Sequence, residues 1–111
     1  MTESTIIKFH KFVNDTYNYN FKEHNLLYLS NGLGGEVGEV QNEVKKWYRA
    51  LNKGNLDEEY AREVLLRKDN IKKELGDVLW YLFAIANEIE TNIEDIIETN
   101  IEKNTANIKN T

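Results

Sequence analysis

Two short acidic pairs, each set in a stretch of helical periodicity, restrict this chain more than any other feature. The first is Glu36-Val-Gly-Glu39, followed one turn later by Glu43; the second is Glu74-Leu-Gly-Asp77. Residues at i, i+3 and i+7 share one face of a helix, so each pair makes a carboxylate patch on its own helix. Where two such helices pack side by side, four or five carboxylates converge. Like charges brought together repel, and burying them costs several kcal/mol unless a cation offsets it. With oxygen as the only ligand atom, the matching cation is a hard divalent ion.

The rest of the composition narrows the setting. A chain of 111 residues is one domain, 1–111, able to bury a small core. With 41% hydrophobic and 30% charged residues it is expected to be globular, not disordered. No apolar run reaches the ~20 residues of a membrane span, and the first residues lack a signal-peptide core. There is no cysteine, which excludes disulfides, thiolate zinc sites and a cysteine nucleophile. These features favour a cytoplasmic protein of a bacterium, or of a host cell if the source is viral. A net charge of −5 speaks against a nucleic-acid surface.

Four helical segments and no strand are expected. The first covers about 2–17, with Ile6, Phe9 and Val13 on one stripe and Thr2 or Ser4 as cap. Residues 18–25 read as a loop. The second covers about 26–51, with Leu26, Leu33, Val37, Val40, Val44 and Leu51 in a narrow arc and the acids at its edge. Gly32, Gly34, Gly35 and Gly38 crowd its first half, each costing about 1 kcal/mol against Ala. Either that helix starts later, or something approaches its backbone closely. Asn52-Lys-Gly-Asn55 stops it, with Gly54 as the residue after the cap.

A third segment starts at Asp57, is expected to break near residues 68–70, and resumes with Ile71, Leu75, Val78, Leu82, Ile85 and Ile89 on a stripe. Trp80, Phe83 and Ala84 lie on its other side, so this helix is apolar nearly all round. A short chain offers little cover for the second side, which implies a symmetric subunit interface. The last helix follows Asn92 as cap, with Ile93, Ile96, Ile97, Ile101 and Ile108 as its apolar face; residues 104–111 are expected to fray. The architecture is thus all-α: an antiparallel helical bundle completed by dimerisation.

An i, i+3 acidic pair arises easily by chance on a solvated helix face, since 19 of 111 residues are acidic. Three details count against chance. Both pairs border an apolar stripe, a glycine precedes the second acid of each pair (Gly38, Gly76), and both helices are long enough to lie antiparallel. A di-iron site would need Glu-x-x-His motifs; the two histidines, His10 and His24, follow Ile7 and Phe21 at that spacing and read as surface or packing residues.

The string Gly-Leu-Gly-Gly-Glu36-Val-Gly-Glu39, with Lys-Glu74-Leu-Gly-Asp77-Val-Leu-Trp-Tyr-Leu further on, resembles the MazG family of all-α nucleoside triphosphate pyrophosphohydrolases. Asn100 and Lys103 match a late Asn-x-x-Lys element of that family, so the resemblance runs over about 26–103. Where the family often has Leu and Arg after this element, the chain has Asn104 and Asn107.

The resemblance implies cleavage of a (deoxy)nucleoside triphosphate to the monophosphate and pyrophosphate. It implies that Glu36, Glu39, Glu74 and Asp77 hold Mg²⁺, with Mn²⁺ able to substitute, and that the protein is a homodimer or homotetramer. Glu43 reads equally as an outer-shell or general-base carboxylate and as a solvated helix acid. Lys46 and Lys103 are candidates to meet the phosphates, Trp47 is a candidate to stack on the base, and Asn100 is a candidate to touch base, sugar or phosphate. Phosphoribosyl-ATP and dUTP pyrophosphohydrolases of the same superfamily are alternative activities. A helical oligomerisation or regulatory module without catalysis is a reading of another class, and it predicts a broken acidic quartet.

Overall fold

Ser4 opens the first helix by accepting the Ile7 backbone N–H on its hydroxyl at 3.2 Å. The computed structural model describes residues 3–18, 20–52 and 57–109. Four α-helices follow in order: α1 Thr5–Thr16, α2 Asn25–Leu51, α3 Glu58–Glu88 and α4 Ile93–Lys109, with a short 3-10 turn Lys22–His24 leading into α2. No strand occurs among the described residues. The chain is all-α, as its periodicity requires.

The expected caps are present. Asp57 Oδ1 accepts the Tyr60 N–H at 2.8 Å and starts α3; Asn92 Oδ1 accepts the Asp95 N–H at 2.8 Å and starts α4. Between these helices Glu90 takes a left-handed φ of 62°, and the Thr91 N–H reaches back to the Ala86 carbonyl at 2.9 Å, a Schellman-type ending. Gly54, expected to end α2, lies outside the described residues. The expected break near 68–70 does not occur, and α3 runs unbroken for 31 residues. Asn70 and Ile71 are half-buried and continue the inner face, and Lys73 pairs with Asp69 along the helix at 3.3 Å. Residues 104–109 are helical rather than frayed.

The chain divides into two compact units, Met1–Leu29 with Leu82–Thr111, and Ser30–Tyr81. The first holds Val13, Leu29, Phe83, Ala84, Ala86 and Ile93 as buried apolar residues. Phe83 is 4% exposed and sits edge-on beneath Phe9, ring centroids 4.7 Å apart, and beside His10 at 4.8 Å. His10 also meets Glu94 at 3.3 Å, which makes it a packing residue. Tyr17 O–H donates to Glu88 at 3.2 Å and Asn87 Nδ2 to Asn14 at 2.9 Å. Phe83 and Ala84 were expected at a subunit interface; Phe83 packs instead on Phe9 and His10 of α1, and Ala84 is buried within the chain.

The second unit is an antiparallel pair made by the body of α2 and about the first three-quarters of α3. Tyr81 lies on Gly32, Asp77 near Glu36, and the Tyr60 O–H bonds the Leu51 carbonyl at 3.4 Å, so residue numbers fall along one helix as they rise along the other. Glu36, Glu43, Trp47 and Ala50 line the inner face of α2. The apolar arc expected to do so is only partly inward: Leu33, Val40 and Leu51 are half-buried, while Leu26, Val37 (42%) and Val44 (43%) are exposed.

The α2 glycines divide into two kinds. A Cβ at Gly32 would overlap the Tyr81 ring, whereas one at Gly34, Gly35 or Gly38 would meet open space among the described residues beyond its own helix backbone. Gly32→Ala is therefore expected to cost about 1–3 kcal/mol by overpacking, against a gain of about 1 kcal/mol in helix propensity. Gly34→Ala should gain propensity with no clash. Thermal melts that rank Gly34→Ala above wild type and Gly32→Ala below it bear this out; the reverse order contradicts it.

Candidate metal centre

The antiparallel register sets the acidic turns of α2 and α3 against each other. One carboxylate oxygen from each of Glu36, Glu74 and Asp77 lies within 4.8 Å of the others. Glu36 and Glu74 are half-buried and Asp77 is exposed, so the cluster opens to solvent on one side. Glu39 lies outside this triad and is exposed, but it stands near enough to repel Glu36 and Glu74. Gly38 and Gly76 leave open space beside the acids.

Desolvation, then the charges of Asp77, Glu74 and Glu39 in that order, raise the Glu36 carboxyl above its ordinary 4.5. Glu74 is raised in the same way, by desolvation first and then by Asp77, Glu39 and Glu43, with Lys46 opposing. These carboxyls bind protons more readily folded than unfolded, so stability of the ion-free protein falls as pH rises from the ordinary carboxyl range through the raised values. Below that range the penalty is absent. A divalent ion prefers the ionised form and should offset the loss. Melting temperature against pH, with chelator and with Mg²⁺, tests this; identical curves refute it.

Glu43 is 9% exposed. Its Oε1 is held by Lys46 Nζ at 3.3 Å, and its Oε2 is buried with no hydrogen-bond partner. One turn on, Trp47 is half-buried with its Nε1 also buried and unpartnered. Asn100 and Lys103 are exposed on α4, in the other unit, with Asn104 donating to the Asn100 side chain at 3.0 Å.

Arg67 was not singled out from the sequence. It lies seven residues before Glu74, on the same face of α3, and is half-buried with an unpartnered Nε. The i, i+7 spacing back from Glu74 was its signal, hidden by the expected break after it.

The donor set fits a hard cation. Ligand oxygens on one octahedral ion with bonds of ~2.1 Å lie roughly 3–4.2 Å apart, a small closure from the triad as it stands. The fold and this acidic seam define a class: all-helical proteins whose two antiparallel helices carry the carboxylates of a candidate cation site. The model described as the MazG nucleotide pyrophosphohydrolase domain matches residues 24–110, and the chain belongs to that family. It is also similar to the Gene 37 protein of Mycobacterium phage L5, 35% identical over 78 residues, which are 70% of this chain and 61% of that protein. The chain thus spans about three-fifths of the length of this curated relative. No solved structure matches significantly.

Proposed function

We propose that the chain is a single MazG-like domain over 1–111 that converts (deoxy)nucleoside triphosphates to monophosphates and pyrophosphate with Mg²⁺, or Mn²⁺ in its place. The observation that carries this is the convergence of Glu36, Glu74 and Asp77 across the α2–α3 pair in a member of a nucleotide pyrophosphohydrolase family. Together with Glu39, these residues would hold the ion. When bound, it neutralises triphosphate charge, activates water and stabilises the leaving pyrophosphate.

The protein side divides the remaining work. Glu43 would orient water from its buried position one turn along α2. Lys46 offers its ammonium to a phosphate. Trp47 offers a ring face and an indole N–H to the base or sugar. Asn100 and Lys103 are proposed as nucleotide contacts on the family resemblance alone. The intact acidic quartet weighs against a non-catalytic module.

A homodimer or homotetramer is part of the proposal. Among the described residues of the Ser30–Tyr81 unit, Ala50 is the one buried apolar side chain. Leu75 (48%) and Leu79 (46%) are exposed, like Val37 and Val44. Val37, Val44 and Leu75 each sit about 100° round from Glu36, Glu43 and Glu74. In an antiparallel pair that rotation leads to the same side, so one apolar flank joins both helices beside the acids. A second copy is the occupant that symmetry favours.

No helix among the described residues is long and apolar enough to cross a membrane. A cytoplasmic setting, bacterial or in an infected host cell, is the compartment proposed. The experiment is a pyrophosphate-release assay on the common nucleoside and deoxynucleoside triphosphates and dUTP, with Mg²⁺ and with chelator. Metal-dependent release of monophosphate is expected. Ion binding without turnover on any of them would move the proposal to phosphoribosyl-ATP or a modified nucleotide. Neither turnover nor ion binding would favour the module.

A further inference from the structure

We infer that the Lys46 ammonium is a built-in stand-in for the divalent cation: it holds Glu43 in the ion-free protein and transfers to a substrate phosphate when ion and nucleotide bind. The inference rests on the proposed reaction and adds a residue whose partner changes during binding.

Glu43 supplies the reason for a stand-in. A carboxylate 9% exposed needs donors to replace lost water. It has one, Lys46 Nζ at 3.3 Å from Oε1, and its Oε2 has none. Lys46 itself is not enclosed. Its side chain is 37% exposed, so the flexible four-carbon stem can swing outward without opening the packed face. Glu39, Glu43 and Lys46 stand at i, i+4 and i+7, which puts the ammonium on the acidic face of α2. Its charge also reaches α3, where it eases the repulsion that Asp77, Glu39 and Glu43 impose on Glu74.

Two cations cannot share this seam without cost. An ammonium beside Glu43 and Glu74 repels a divalent ion arriving at Glu36, Glu74 and Asp77. A triphosphate gives that ammonium a more highly charged acceptor. Magnesium retains part of its water shell, and water hydrogens are the donors a vacated Glu43 requires. Lys46 thus makes the ion-free site tolerable and the ion–triphosphate complex preferable to the ion alone.

Lys46→Gln keeps a donor for Glu43 and removes the charge. Calorimetric titration of Mg²⁺ or Mn²⁺ alone into chelator-treated protein should show the variant binding the ion about fivefold or more tightly than wild type. A non-hydrolysable α,β-methylene nucleoside triphosphate with Mg²⁺ should bind the variant about fivefold or more weakly. A lysine with a purely structural role would weaken both or change neither. The ion-induced rise in melting temperature should likewise be larger in the variant, whatever its starting stability. Unchanged or weaker ion binding by Lys46→Gln overturns the inference alone. Absence of ion binding by the wild type overturns the metal-site reading and the inference with it.

Discussion

Asp77→Asn is expected to lower pyrophosphate release by at least about 100-fold while the ion-free protein melts no lower than wild type. The two halves of this result have one cause. Asp77 is an exposed member of the triad, so losing its charge removes no core volume. It is also the first-ranked charge raising both Glu36 and Glu74, so its neutralisation relieves repulsion that the folded chain bears. The variant should in addition lose the thermal stabilisation that Mg²⁺ gives wild type. Glu39→Gln should act in the same direction on activity, because it removes another of the charges proposed to hold the ion. Full activity in both variants would end the enzyme reading. A drop in activity matched by loss of helicity would mean that the acids serve the fold.

Leu79→Glu is expected to leave monomers at concentrations where wild type is assembled. Leu79 lies on the exposed flank with Leu75, Val37 and Val44, and a charge placed there opposes burial against a second copy. Truncation of a central contact of this kind costs about 2–4 kcal/mol, roughly 30- to 1000-fold in the dissociation constant. Sedimentation velocity over a dilution series measures it. The melting temperature of wild type should fall on dilution, and that of the variant should not depend on concentration. An assembled variant with wild-type affinity would place the interface elsewhere.

Helix number, type and order were legible in the sequence because apolar spacing and caps agree: Ser4, Asp57 and Asn92 each stand one turn before an N–H they accept. The acids were legible for the same reason, since 36 and 74 begin i, i+3 pairs. What periodicity could not give was which of two apolar-edged faces turns inward. In α2 the acid-bearing face packs on α3 with Gly32 beneath the Tyr81 ring, and the apolar arc is split, Leu33, Val40 and Leu51 half-buried and Val37 and Val44 exposed. Nor could a local signal at 68–70 predict an unbroken α3. Lys68-Asp69-Asn70 favours a turn in isolation, but the half-buried Asn70 and Ile71 keep the helix going. Phe83 packs on Phe9 of α1, a contact between residues far apart in sequence that helical periodicity does not reveal.

In α2 the same turns carry the acids and contact α3, so ligand occupancy and backbone opening are one equilibrium seen from two ends. Each local separation of the pair disperses Glu36 from Glu74 and Asp77 and lets their repulsion relax. An ion bound as proposed would oppose that separation. Amide exchange in the body of α2 and the facing part of α3 should slow as the ion is added, while α4 exchanges at its own rate. If the proposed ion site is correct, a shortage of divalent ions would loosen this central helix pair and raise the population open to proteolysis.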